Sequence, residues 1–327
     1  MIKPDVCVIR KQQVTSIGGS GGSHQRVVQV RWISLIGLAL CASLIEAKPT
    51  SAGFAGLVSF ADGEPFTIVR HDTLMTGSKG VPLLAGDLVE TGPRALLVVA
   101  GSEGNLIGLG PSTDVYFLER TEVTTLFVLK GWVKADVKSG PPIRILGTRL
   151  GIQGHEAVML LSADERSNAV FAEQGATTIV LPEAAATPVG KETGANHFFR
   201  REDWLDVAPQ LSPPVEFVDK MPAAFRDPLP RFIELPETVP PRVVRSVSYS
   251  DIRTWLTIPR EWRGGFIGRF RGRLKDPAFF AAMDAHQALF PEWKPILHPP
   301  AASTDESRSE GKSAPDKSEP QQRDELR

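Results

Sequence analysis

The chain has 327 residues, 42% of them hydrophobic, enough to build a sizeable core in one large domain or two modest ones. Its formal net charge is −1, so no global field argues for nucleic acid as a partner. The 29 glycines and 27 prolines favour many turns over long helices.

Residues 1–30 are polar, contain IGGSGGSH, and are longer than a usual charged leader. They are expected to be a doubtful leader, explained by a start codon assigned upstream of a true start near Val28 or Val30. Residues 31–47, RWISLIGLALCASLIEA, then place Arg31 before 13 mostly apolar residues that end at Ile45, followed by Ala47. That run suits the core of a secretory signal peptide and falls short of the ~20 residues a spanning helix needs. Cleavage after Ala47, or after Ala52 in TSA, predicts a periplasmic protein; the alternative is an uncleaved inner-membrane anchor with the rest of the chain facing the periplasm. Cys41 follows Leu40, too bulky for a lipidation site. The 2 cysteines, Cys7 and Cys41, both precede Ala47, so the mature chain would rely on its core without disulfides.

From residue 54 to 182 the pattern is strand, turn, strand. LVSF, FTIVR, ALLVVA, NLIGLG, DVYF, TLFVLKGWVKADV, IRILGT, AVMLLSA and NAVFAEQGATTIVL are short, rich in β-branched and large apolar residues, and bounded by Gly, Pro, Asp or Ser. This predicts a mainly β fold, a sandwich or roll. The alternation in Asp114, Val115, Tyr116, Phe117 predicts one wet and one dry face. Residues 183–248 form a proline-rich docking linker, with 9 prolines between Pro209 and Pro241 that disfavour regular helix and central strand. Phe217, Val218, Met221, Phe225, Phe232, Ile233 and Leu235 predict that it docks on the β domain. Residues 249–299 form a small α-helical unit. Ser250 is a candidate cap for DIRTWL, and Asp276-Pro277 starts a helix whose Phe279, Phe280, Met283, His286 and Phe290 form one stripe, with Pro291 as its stop. Residues 300–327, charged and without aromatics, read as a disordered tail.

The β region resembles the periplasmic FecR domain. The matching pieces are AGLV at 55–58 with FTIVR, PLLAGDLVETG at 82–92, RALLVV at 94–99, LGPSTDV at 109–115, LKGWVKADV at 129–137, ILGTRLGI at 145–152 and FAEQG at 171–175. The chain reads AGSEGN at 100–105 where the family usually has Asp-Gly-Ser. The resemblance implies a β-rich sensing or scaffolding module with no catalytic residues. About 30 polar residues precede the apolar segment, in place of the cytoplasmic helical domain of anti-sigma regulators, so the resemblance implies the envelope domain and not sigma-factor control. Residues 217–299 also resemble a tail found on some stand-alone FecR-domain proteins.

The candidate chemistry is sparse. Asp87, in the GDLVETG turn, reads as a turn aspartate that accepts backbone N–H groups. HEAVM at 155–159 has Met159 where a zinc-protease helix needs its second histidine. The 6 histidines never reach metal-ligand spacing, no nucleophile elbow or phosphate loop occurs, and Glu119 with Glu122 is an unremarkable carboxylate pair. No catalytic, cofactor-binding or metal residues are assigned and no cofactor is expected. Residues 260–275, REWRGGFIGRFRGRLK, hold 6 basic residues against 1 acidic one. Arg260, Arg263, Arg269, Arg271, Arg273 and Lys275 are therefore the candidate contact with an anionic lipid head-group or acidic glycan. The competing reading sends Arg269, Arg271 and Arg273 outward and pairs the arginines with acidic groups of the β domain or tail. Trp132, Trp204, Trp255 and Trp293 fit core or inter-domain packing better than a sugar platform. The sequence thus predicts an exported, non-catalytic envelope protein that binds an envelope protein partner; a membrane-anchored FecR-type regulator is the alternative, and a glycan-acting enzyme a distant third.

Overall fold

The computed structural model describes residues 53–118, 123–182, 192–202 and 209–299. The expected leader, signal peptide and disordered tail, both cysteines, Glu119, Glu122 and Trp204 lie outside the described residues, as do parts of the expected linker.

Seventeen strands are present among the described residues. They are β1 (Phe54–Asp62), β2 (Phe66–Arg70), β3 (Thr73–Gly77), β4 (Pro82–Leu84), β5 (Leu88–Glu90), β6 (Leu96–Ala100), β7 (Leu106–Leu109), β8 (Asp114–Leu118) and β9 (Thr124–Asp136), then β10 (Ile143–Leu146), β11 (Gly151–Gly154), β12 (Val158–Ala163), β13 (Ser167–Gln174), β14 (Thr177–Val180), β15 (Glu192–Thr193), β16 (His197–Glu202) and β17 (Arg242–Ser246). They form two sheets that share β9. One runs β4-β1-β6-β7-β9-β12-β13-β16. The other runs β17-β3-β2-β5-β8-β9-β10-β11-β14-β15. All pairs are antiparallel except β9 with β10. The fold is mainly β with a few short C-terminal helices.

Strand β9 changes sheets at Gly131. Leu126 and Val128 point into the core between the sheets before it, and Val133 and Ala135 point there after it, so the side-chain parity flips. Gly131 has φ +92°, and a Cβ there would lie 2.5 Å from Thr113 Cα and 2.8 Å from Ser112 O. Only glycine fits this bend.

Both outer faces of the sandwich are covered. The helices α1 (Val215–Lys220) and α2 (Ala223–Arg226) place Phe217, Met221 and Phe225, with Leu229, over Val98, Leu106, Leu160, Phe171 and Phe198. The C-terminal unit, with α3 (Tyr249–Ile252), α4 (Phe266–Phe270), α5 (Pro277–Ala285) and α6 (Lys294–Leu297), buries Trp255, Trp262, Phe266, Phe270, Phe279, Met283 and Trp293 against Val69, Leu88, Tyr116, Phe127 and Leu146. This overturns the expected wet face: Asp114, Val115, Tyr116 and Phe117 are all buried, because the Asp114 and Tyr116 face lies under the helical unit.

Three further expectations are corrected. The sheets continue past residue 182, since β15 and β16 pair with β14 and β13. The proline-rich segment contains two short helices and an edge strand, because its prolines sit before these elements: Pro214 and Pro222 are the N-cap residues, and Pro240 and Pro241 precede β17. The first helix of the C-terminal unit is capped by Ser248, not Ser250, in a capping box with Asp251. Asp276 caps α5 as expected, accepting from the Ala278 and Phe279 N–H groups, with Pro277 at the first position. That helix stops at Ala285, short of Phe290, although Phe279, Met283 and Phe290 are buried. Among the described residues no helix is long and apolar enough to cross a membrane.

Candidate interaction surface

The predicted basic stretch divides into two groups. Arg269 Nε and Nη1 donate to the carbonyl oxygens of His71 and Gly86, each at 2.5 Å, and Nη2 donates to that of Val69. Its guanidinium also lies 5.0 Å from the Phe270 ring centroid. Arg263 ion-pairs with Glu292 at 2.8 Å, both largely buried, and donates to the Leu256 carbonyl. Arg273 donates to Val247 O at 2.9 Å and to Asp276 at 2.7 Å. These three arginines therefore hold the C-terminal unit together and onto the β domain, and Arg269 and Arg273 do not point outward. Arg260, Arg271 and Lys275 are exposed.

The GD turn is the receiving end of this staple. Asp87, 1% exposed, accepts Arg70 Nε at 2.8 Å and Nη2 at 2.6 Å, and the Leu84 N–H at 2.8 Å. Gly86 beside it, at φ +94°, presents the carbonyl that Arg269 takes. The expected turn aspartate is present, and its carboxylate also neutralises Arg70.

A row of ionisable groups lies along the seam between β domain and helical unit. Trp255 Nε1 donates to Glu90 Oε1 at 3.0 Å, and Glu90 faces Asp114 across the β5–β8 pair. Desolvation pushes the Glu90 carboxyl up, and the neighbouring Asp114 adds to it. Desolvation also raises Asp114, against the opposing pull of Lys130, which ion-pairs with it at 3.1 Å. Asp251 behaves oppositely. Burial opposes its ionisation, yet hydrogen bonds from Arg245 and Ser248 hold it at about 2.

Beside this row is a cleft of about 650 Å³ lined by Leu129, Lys130, Thr148, Arg149, Asp164, Glu165, Arg253, Thr254 and Thr257. Its charge is mixed and its lining carries no aromatic ring. Asp164 is spent on the turn it closes, accepting from Arg166 N, Ser167 N and Ser167 Oγ. His155 lies in the turn before β12, while Met159 is buried within that strand. Among the described residues no group of three or more His, Cys, Asp or Glu side chains could hold a metal ion. Trp255 and Trp293 are buried, and Trp132 packs on Phe217 with ring centroids 4.9 Å apart.

The least expected surface is the strap from residue 231 to 246. Phe217, Met221 and Phe225 dock as predicted, but Phe232 is 40% exposed, Ile233 105% and Leu235 56%. Val243 and Val244 in β17 are 63% and 49% exposed. These residues do not sit on a loose loop. Arg231 bonds Asp136 at 2.6 Å and Gly104 O at 2.7 Å, and Phe232 stacks on Phe60 with Lys79 over its ring. Val239 N donates to Gly80 O at 2.9 Å, β17 pairs with β3, and Arg245 forms two bonds to Asp251. The strap is tied at five places, two of them through its backbone, and between Phe232 and Val239 the side chains of Ile233 and Leu235 face solvent. A sequence cue exists in PPRVVRS, a β-branched pair flanked by arginines after two prolines, which marks an edge strand.

No protein-family model matches the chain. No curated protein matches it either. Among solved structures, two crystal structures of a candidate anti-sigma factor from Parabacteroides distasonis, at 1.65 and 2.50 Å resolution, are similar over 38% of this chain, at 12% and 13% identity and a TM-score of 0.33. The chain spans 59% of the length of those chains. At that score the mainly β architecture rests on the strand pairing within this chain.

Proposed function

We propose that the chain is an exported, non-catalytic module of the bacterial envelope, built on a FecR-like β domain, that works by binding another envelope protein. The observation that supports it most is the strap, tied at Arg231, Phe232, Val239 and β17, whose Phe232, Ile233, Leu235, Val243 and Val244 are exposed. Five exposed large apolar residues within one short segment go beyond the scattered single ones that soluble surfaces normally carry. A rigid epitope also loses little conformational entropy when it is covered. The signal-like segment at 31–47 supports export to the periplasm.

Photo-crosslinking in the intact native cell tests this reading. A crosslinker at Ile233 should give a discrete adduct that Leu235→Ser weakens, and one at exposed Arg271 should give none. Equal labelling from both positions, or none from 233, would remove the reading. Export is checked separately: the mature N-terminus should lie at Lys48 or Gly53.

A further inference from the structure

We infer that the outer edge of β17 receives an added antiparallel strand from a partner protein, and that this strand carries carboxylates beside β-branched or aromatic residues. The inference rests on the reading of the chain as a protein-binding module and specifies how the partner is held.

The two sheets have four ends among the described residues. Strand β4 is three residues long and β15 two. Strand β16 is already bridged on its outer side at Phe198, which exchanges two backbone bonds with Gln210, both at 2.9 Å. Strand β17 has five residues, a single neighbour in β3, and every residue exposed. In an antiparallel ladder alternate residues aim their N–H and C=O groups away from the neighbour. About half of the β17 backbone groups therefore face outward with no ladder partner, a template for strand addition.

The side chains say which strand fits. Within β17 the charged residues are Arg242 and Arg245, with Val243 and Val244 between them and no carboxylate. Arg245 is bonded to Asp251 but its side chain is still 48% exposed. The ladder bulges between Val243 and Arg245. A bulge and basic residues on an edge discourage indiscriminate pairing. Self-pairing of two copies centred between Val243 and Val244 would set Arg242 opposite Arg245, and like charges directly opposite are destabilising. An acid-bearing strand meets Arg242 favourably and covers the two valines.

The test uses the full chain and two capped peptides, Glu-Val-Thr-Val-Glu-Thr and its counterpart with lysine in place of each glutamate. Amide hydrogen exchange is followed at residues 242–246. The glutamate peptide should slow exchange there and be preferred about fivefold over the lysine peptide, the swing expected when an opposite-charge cross-strand pair becomes a like-charge one. Arg242→Glu, an exposed change checked by circular dichroism, should reverse the preference. Protection by neither peptide, or by both equally in the parent and in the variant, would overturn the inference. So would protection that rises with protein concentration alone, which would assign the edge to a second copy. If the peptides fail while the crosslink from Ile233 persists, strand addition falls and the binding-module reading stands.

Discussion

Arg269 donates to the carbonyl oxygen of Gly86, the residue before the Asp87 whose carboxylate clamps Arg70. One turn thus takes two arginines, one from within the β domain and one from the C-terminal unit 183 residues away. A guanidinium suits this place, since its planar fork of donors reaches the carbonyls of Val69, His71 and Gly86 at once. The turn that marks the β domain is therefore also the dock for the helical unit.

Arg269→Ala should destabilise the protein by about 3 kcal/mol, because three carbonyls lose their donor beneath a packed aromatic layer. Arg269→Lys should recover little of that, since an ammonium cannot span the three acceptors. Arg271→Ala and Lys275→Ala, at exposed positions, should stay within about 0.5 kcal/mol of the parent. Chemical denaturation of all four variants checks the division of the basic stretch into structural and surface residues. Equal losses across them would contradict it.

The strand pattern, the Asp276-Pro277 helix start and the role of Asp87 were legible because each is local, needing only neighbours within a few residues. The covered outer faces were not. Asp114 and Tyr116 look like a wet face until Trp255, Phe266 and the rest of the helical unit, more than 130 residues later, are set on top of them. Ser250 stands directly before the DIRTWL run, but the cap is Ser248, whose Ser-x-x-Asp box with Asp251 is the stronger local signal. The arginines of 260–275 read either as a surface patch or as partners of acidic groups, because sequence shows charge but not the distant carbonyls that Arg269 reaches. The strap's apolar residues read as docking ones because hydrophobicity alone does not distinguish Phe225, which α2 buries against the β domain, from Ile233, fully exposed.

Lys134 shows the same long reach on the opposite sheet. It is fully buried, and its ammonium donates to Phe225 O at 2.9 Å and Asp227 O at 3.1 Å while pairing with Glu173 at 2.8 Å. Lys134→Met keeps the stem but strands two carbonyls and a carboxylate, so a loss of about 3 kcal/mol is expected. The segment around residues 217–229 should also become sensitive to limited proteolysis before the β domain does. Simultaneous cleavage of both would show that Lys134 does not act as a clasp for that segment.

Gly131→Ala tests the bend that lets β9 serve two sheets. The added methyl would sit within 2.5 Å of the Thr113 backbone, at a φ that alanine rarely adopts. A cost of at least about 2 kcal/mol is expected from strain and displacement together. Gly268→Ala, where a Cβ meets nothing within 4 Å, should be neutral or mildly stabilising, since alanine favours the helix. Thermal melts of the pair separate a conformational requirement from a general dislike of side chains.

The carboxyl of Glu90 gives the seam a pH dependence whose sign can be worked out. Its folded pKa lies above the ordinary 4.5, because burial and Asp114 disfavour the charge. The folded state therefore holds this proton more tightly than the unfolded state does. As pH rises from the ordinary carboxylate range through the folded value, ionisation costs stability, and that cost persists at neutral pH. Asp251 has the reverse dependence: its folded value of about 2 contributes stability above 3.8 that is lost as pH falls towards 2. Glu90→Gln removes the ionisation while its amide oxygen still accepts from Trp255 Nε1. The variant should melt at a higher temperature than the parent at pH 7, and the advantage should shrink to nothing near pH 4, where Glu90 is protonated in both states. An advantage of the same size at both pH values would show that the gain comes from packing and not from the buried charge.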